Sequence, residues 1–327
     1  MKYPNPNMLL YIGIGDAYAM ATEYIKLPRD QALLNEVLKF EKYHQHPTHL
    51  DVLPGYYTDD TEMSVANALV LIENEPPYTP LMFANAWVRE FVRGGMRKGY
   101  SRKFQEFLER TKTGAEFLAN VNPNSNKNGA AMRAVPFGVL RTVPEVLEVS
   151  TMQAKITHNT PEGLFSARVV ALMSHYALYE KPASYLFESS LIGTRDYCLL
   201  NLPKEDLEKY GYIFDLKNHW DTAVVGNDRQ SVAISTVHAV VSFIATYSPP
   251  NLRLLLSRII EMGGDTDSVA AIVLGLVGGR MEDEVRRICN NTSRFPDFMA
   301  INLEHGNPKT GAKYLLDVGT QLMDKFK

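Results

Sequence analysis

Tyr57-Thr58-Asp59-Asp60-Thr61 packs two carboxylates and three hydroxyls into five residues, and a second stretch of the same kind, Gly263-Gly264-Asp265-Thr266-Asp267-Ser268, follows far downstream. Each is followed by apolar residues at helical spacing: Met63, Val65, Ala66, Leu69, Val70 and Ile72 after the first, Ala270, Ile272, Val273, Leu276 and Val277 after the second. Both therefore read as helix starts. Asp, Ser and Thr are favoured N-caps, and Asp59 followed by Glu62 resembles a capping arrangement, so ordinary capping is the plain alternative. Two adjacent carboxylates, however, repel by roughly 4 kcal/mol at an effective dielectric near 20. A helix N-terminus offsets part of that repulsion. A divalent cation offsets far more, and all-oxygen donors suit magnesium or manganese rather than zinc or copper. The two stretches are read as halves of one metal site brought together by the fold.

Outward from them, the chain is helical in pattern. The 3.6-residue period recurs over residues 8–25, 30–43, 62–72, 80–93, 101–120, 146–156, 162–180, 230–247 and 251–262, with two or three short helices in the tail. Sustained alternation of β-branched residues is rare. The expectation is an all-α fold, a compact orthogonal helical bundle with residues 1–327 forming a single domain. Gly13-x-Gly15 suggests a dinucleotide fingerprint, but Tyr18 stands where the third glycine belongs and no strand precedes it. Within the same first helix, Asp16 and Glu23 are seven residues apart. That spacing predicts two acids on one face, about 10 Å apart along the axis. Residues 44–49, His-Gln-His-Pro-Thr-His, carry three histidines but no helical i, i+4 pair, and Pro47 argues against zinc geometry. Asn128-Gly129 opens another helix after a polar loop, where small residues let backbone N–H groups approach a phosphate or sugar. His158 sits at a junction between helices.

Composition removes several classes of function. Of 327 residues 45% are hydrophobic and 22% charged, and the formal charge is −3, which gives no electrostatic reason for nucleic-acid or membrane-surface binding. Cys198 and Cys289 are the two cysteines, too few and too far apart for a disulfide framework or a thiolate zinc site. The N-terminal run lacks the features of a signal peptide and no stretch approaches a membrane span, so cytoplasm is the expected location. A monomer is the default expectation.

Gly15-Asp16-Ala17 with Glu23, Thr58-Asp59-Asp60-Thr61, Asn128-Gly129 with Met132-Arg133, Thr157-His158 and Gly263–Ser268 occur in an order that resembles the ADP-ribosylglycohydrolase family. The resemblance covers residues 13 to about 280 and implies two magnesium or manganese ions. It places Thr58, Asp59 and Asp60 on one ion and Asp265, Asp267 and Ser268 on the other, with Asp267 bridging. Ser268 stands where many members have threonine, and either hydroxyl can ligate. Asn128, Gly129 and Met132 would line an ADP-ribose cleft, and His158 would contact the phosphate or ribose. Glu23 would be a mobile acid near the metals, and Glu23, Asp60 and Asp267 the catalytic set.

The implied reaction is hydrolysis at C1″ of ADP-ribose, with an ADP-ribosylated protein or ADP-ribose conjugate as partner. Arginine-linked ADP-ribose is the expected substrate, from family resemblance alone; O-linked and small-molecule conjugates are the alternatives. A non-catalytic ADP-ribose-binding or structural member has no need of all four aspartates, and leaving them unpaired is costly. A metal-dependent phosphohydrolase would yield AMP or phosphate rather than free ADP-ribose. Residues 196–222 and the tail after 280 match no pattern that assigns them a role.

Overall fold

The computed structural model describes residues 1, 4–180, 187–215, 232–246, 251–288 and 294–327. Among them there are two isolated bridges and no strand; the chain is all-α. The first half holds α1 (Met8–Ala19), α2 (Gln31–Val37), α3 (Asp59–Glu73), α4 (Pro80–Arg93), α5 (Arg102–Arg110), α6 (Gly114–Asn120), α7 (Gly129–Met132) and α8 (Val143–Thr157). The second half holds α9 (Pro161–His175), α10 (Phe187–Asn201), α11 (Lys204–Tyr210), α12 (Ala233–Thr246), α13 (Leu252–Met262), α14 (Thr266–Ile288), α15 (Phe298–Ile301) and α16 (Ala312–Lys325).

Local chemistry sets most of these starts. Thr79, Thr142 and Thr160 each accept a backbone N–H at the first turn of α4, α8 and α9, and a proline sits at the start of each helix. Thr142 and Glu145 form a complete capping box. The expected helix over 101–120 is two helices, because Thr113 caps a new one by accepting the N–H of Glu116 at 3.1 Å. The helix expected over 30–43 stops at Val37, and Phe40 takes a positive φ of 58°. Of the helix expected at 230–247, residues 230, 231 and 247 lie outside the described residues, as do Cys289 and residues 216–222.

Every residue of α1 is buried, as a helix apolar on all sides requires. It runs against α14, with α3 and α16 on its flanks. Gly15 permits that contact: a Cβ there would lie 2.6 Å from the Ala270 carbonyl oxygen. The Gly13-x-Gly15 pair thus belongs to a helix crossing. The crossing also lays Asp16 beside the starts of α3 and α14, and everything at the site follows from it.

Candidate active site

Asp16 is fully buried and lies at the N-terminus of α3. Its carboxylate accepts the Thr58 N–H at 2.9 and 3.0 Å, the Thr58 hydroxyl at 2.9 Å, the Thr61 N–H at 3.1 Å and the Thr61 hydroxyl at 2.6 Å. Two backbone N–H groups at the start of α3 are therefore satisfied by an acid from another helix. Thr58 is the N-cap but its side chain makes no capping bond to its own helix. Glu62 does not close a capping box either; it accepts from Arg97 Nε at 2.8 Å and from the Tyr100 hydroxyl at 2.7 Å. Capping does not account for Asp59, Asp60 and Glu62.

The second stretch is stitched to the end of α1. The Thr266 hydroxyl donates to the Ala19 carbonyl at 3.0 Å, and the Tyr24 N–H donates to the Gly264 carbonyl at 2.8 Å. Gly263 and Gly264 have φ of 76° and 81°, a left-handed pair that only glycine adopts without strain, and it delivers Asp265 inward. Glu23 does not share a helical face with Asp16. The α-helix ends at Ala19, a 3₁₀ turn covers Met20–Thr22, and Glu23 has ψ 123°, which turns the chain out of helical geometry.

These segments converge. One carboxylate oxygen from each of Asp16, Asp60 and Asp267 lies within 4.8 Å of the others, and so does one from each of Glu23, Asp265 and Asp267. Asp267 is common to both sets. Asp59, half-buried, belongs to neither. No histidine joins a cluster of this kind among the described residues. Thr58 and Ser268 are buried beside the aspartates, and the Ser268 N–H donates to Asp267 Oδ1 at 2.9 Å.

As bare anions these groups are poorly tolerated. Burial raises Asp16 to about 6 despite its four donors. Burial, then the Asp16 charge, raises Asp59 to about 8. Burial and the neighbouring carboxylates also hold Glu23, Asp60 and Asp267 well above the usual range. Protons or a cation must neutralise the cluster. Asp60 Oδ1 discriminates between them: it is buried and meets no hydrogen-bond partner among the described residues. An orphaned buried carboxylate oxygen is costly. Beside five other acids and two hydroxyls, it fits a hard divalent cation.

Of the expected nucleotide-side residues, Asn128 reaches this cluster. Asn128 Nδ2 donates to Asp265 Oδ2 at 2.7 Å and to the Thr236 hydroxyl at 3.1 Å, so its amide braces the acidic loop. Gly129 faces His158, whose Cε1 would be 2.8 Å from a Cβ there. Met132 is buried, and its carbonyl accepts from the Ser64 hydroxyl at 3.3 Å. Arg133, given no role from the sequence, supports His158 from within. It lies over the Trp87 ring and donates from Nη2 to the Thr157 hydroxyl at 2.7 Å. That hydroxyl is 2.7 Å from His158 Nδ1. With Arg133 donating to Thr157, the hydroxyl proton is assigned to Nδ1, which leaves the His158 proton on Nε2. Burial, reinforced by the Arg133 charge, lowers the imidazole to about 3, so it is neutral near pH 7.

Sequence reasoning noted Asp16 without assigning it to the site, since a lone acid in an apolar helix carries little signal. Its pairing with Thr58 and Thr61 is a long-range fact.

Helices that carry acids from three distant segments to one buried point define an all-α protein with an interior carboxylate centre. The chain belongs to the ADP-ribosylglycohydrolase family, whose model matches residues 8–284, and the family is one of hydrolases. It is 25% identical over 280 residues to an uncharacterized protein of Archaeoglobus fulgidus, covering 84% of this chain and 86% of that one. It is 25% identical to the ADP-ribosylarginine hydrolase Tri1 of Serratia proteamaculans, covering 70% of this chain and 68% of the relative. Human ADP-ribosylhydrolase ARH3 is likewise 25% identical, over 68% of this chain and 70% of the relative. A solved ADP-ribosylglycohydrolase-related protein complex superimposes with a TM-score of 0.67 over 99% of this chain and 98% of that one, at 17% identity, a likeness of fold. Among the described residues, no helix is long and apolar enough to cross a membrane.

Proposed function

We propose that the chain is a metal-dependent hydrolase that cleaves the glycosidic bond at C1″ of ADP-ribose and releases ADP-ribose from modified arginine on proteins. The observation that carries this reading is the pair of carboxylate sets sharing Asp267, with Asp60 Oδ1 meeting no hydrogen-bond partner among the described residues. Asp16, Thr58, Asp60 and Asp267 would hold one ion; Glu23, Asp265, Asp267 and Ser268 would hold the other. When bound, a magnesium or manganese pair supplies orientation of the ribose hydroxyls and a water of lowered pKa.

The chain's own groups do the rest. Asp16 is fixed by Thr58 and Thr61 and so fixes the start of α3, where Asp59 and Asp60 lie. Asn128 holds the Asp265 carboxylate in place. Glu23 lies at a chain turn; with its carboxylate off the ion it would be the group to move a proton between water and the leaving nitrogen. A neutral His158 presents Nε2–H as a donor toward a phosphate or ribose oxygen, and Gly129 leaves room for that imidazole. The arginine linkage is drawn from the printed name of the Serratia relative. Asp59 lies in neither set and stands beside Asp16 and Asp265, where its charge would also favour a cation.

The test is incubation with proteins ADP-ribosylated separately on arginine and on serine, each with and without a chelator. Free ADP-ribose from the arginine substrate, lost on chelation, is the expected result. AMP or phosphate as product, or release unaffected by chelation, would remove the reading.

A further inference from the structure

His46 is 4% exposed and both its ring nitrogens are engaged. Nδ1 receives the backbone N–H of Thr48 at 3.1 Å and of His49 at 2.9 Å, so it is the unprotonated nitrogen. The ring proton is then on Nε2, which donates to the Glu23 main-chain carbonyl at 2.7 Å. On the far side of the same peptide unit, the Tyr24 N–H donates to the Gly264 carbonyl at 2.8 Å. The Glu23–Tyr24 peptide is thus held at both poles, by the histidine loop at one end and by the acidic loop at the other. Tyr24 has φ 48°, a left-handed conformation that a non-glycine residue keeps only when its surroundings impose it. A carboxylate oxygen of Glu23 lies within 4.8 Å of one each from Asp265 and Asp267.

We infer that His46 is a positioning residue for Glu23: its Nε2–H fixes the peptide plane that carries the Glu23 carboxylate to the acidic cluster. The three-histidine stretch is then no metal site; one ring is a bracket between two loops. The inference rests on the proposed role of Glu23, and the experiment separates the two.

Two substitutions split the imidazole. His46→Gln keeps a donor near the Nε2 position and gives up the Nδ1 acceptor. His46→Asn keeps an acceptor near Nδ1 and gives up the donor to Glu23. Both are made in the full chain with Glu23→Gln as control, and thermal midpoints are recorded for all. The readouts are binding of Mn2+ alone, followed by electron paramagnetic resonance, and release of ADP-ribose from an arginine-modified protein. His46→Asn should lower kcat by about ten- to a hundredfold, the scale of an ångström misplacement, with KM within about twofold. It should also weaken the second Mn2+ about tenfold, the scale for loss of a support behind a ligand. His46→Gln should stay within about threefold of the parent in both. A purely structural role in shaping residues 46–49 reverses that order, with the glutamine variant the worse. The reverse order, equal loss in both variants, or no loss in either overturns the inference. A fully active Glu23→Gln with unchanged Mn2+ binding removes the Glu23 reading and the inference with it. A damaged Glu23→Gln beside an intact His46→Asn removes the inference alone.

Discussion

Arg97 Nη1 lies 2.8 Å from Glu304 Oε1, and this ion pair ties the segment after the family-matched region to the loop that leads into α3. The same guanidinium donates to the Tyr57 carbonyl and, through Nε, to Glu62, each at 2.8 Å, and it lies over the Tyr57 ring. Glu304 in turn accepts the Tyr57 N–H at 3.2 Å and donates its own N–H to the Gly55 carbonyl at 2.8 Å. The residue before Thr58 is therefore held on both sides of its backbone. Glu304→Ala leaves Arg97 with Glu62 alone and should cost about 3–5 kcal/mol, the range for breaking a buried ion pair. Arg97→Ala strands two carboxylates and should cost more. Urea unfolding of the three proteins checks the order, and equal stabilities would contradict it.

On the proposed reading Asp60 holds an ion, while its buried charge disfavours the metal-free protein. Burial, with Asp16, Asp59 and Asp265 adding repulsion, disfavours its charge. Asp60→Asn should therefore raise the thermal midpoint in chelator by roughly 2 °C per kcal/mol of relieved repulsion. It should abolish the further rise on adding Mg2+ and abolish turnover, with helical content unchanged. Differential scanning fluorimetry with and without Mg2+ tests this. A variant with full activity and a normal Mg2+ shift would contradict the ligand assignment of Asp60.

The parts of the site that were legible in the sequence are those where chemistry is concentrated locally. Thr58-Asp59-Asp60 and Asp265-Thr266-Asp267-Ser268 each hold too many acids for a cap, and the structure does bring the two stretches together. Helix periodicity gave Pro80–Arg93 to the residue. What stayed hidden depends on a single residue meeting a distant partner. Asp16 is one acid in an apolar run, and its meaning lies in α3. Glu304 is one acid in a polar tail. The shared face expected for Asp16 and Glu23 failed for a different reason. Residues 20–25 hold no proline or glycine, and the chain leaves α geometry where Ala19, Thr22 and Tyr24 bond across to Gly264 and Thr266. Tertiary contacts there outweigh local propensity.

Metal binding should be pH-dependent with a definite sign. Asp16 and Asp59 are raised by burial to about 6 and about 8 in the folded chain, against an ordinary carboxylate value of 3.8. Between 3.8 and about 8 the metal-free folded state therefore holds protons that the unfolded state has lost. Stability contributed by these groups is full below the unfolded value and falls as pH rises through the folded ones. A cation competes with those protons, so its affinity rises over the same interval. The gap between the Mg2+ and chelator thermal midpoints should be small near pH 5 and widen steadily to pH 8.5. A gap that is constant or narrows over that range would contradict a carboxylate site.

His158 has the opposite sign and can be isolated from the acids. Burial and the Arg133 charge lower its folded pKa to about 3, while its unfolded value stays near 6.5. Its contribution is full above 6.5 and is lost as pH falls, because the unfolded chain takes up a proton that the folded chain refuses. Across that window the loss approaches on the order of 4 kcal/mol. His158→Gln retains an amide near the ring nitrogens and has nothing to titrate. It should be less stable than the parent at pH 7, where the Thr157 contact is replaced imperfectly, yet lose less stability on acidification from pH 7 to pH 4. Urea midpoints at the two pH values, both in chelator, give the comparison. Parallel losses in parent and variant would mean that the His158 ring takes up a proton in the folded protein, and its assignment as a neutral Nε2–H donor would fall.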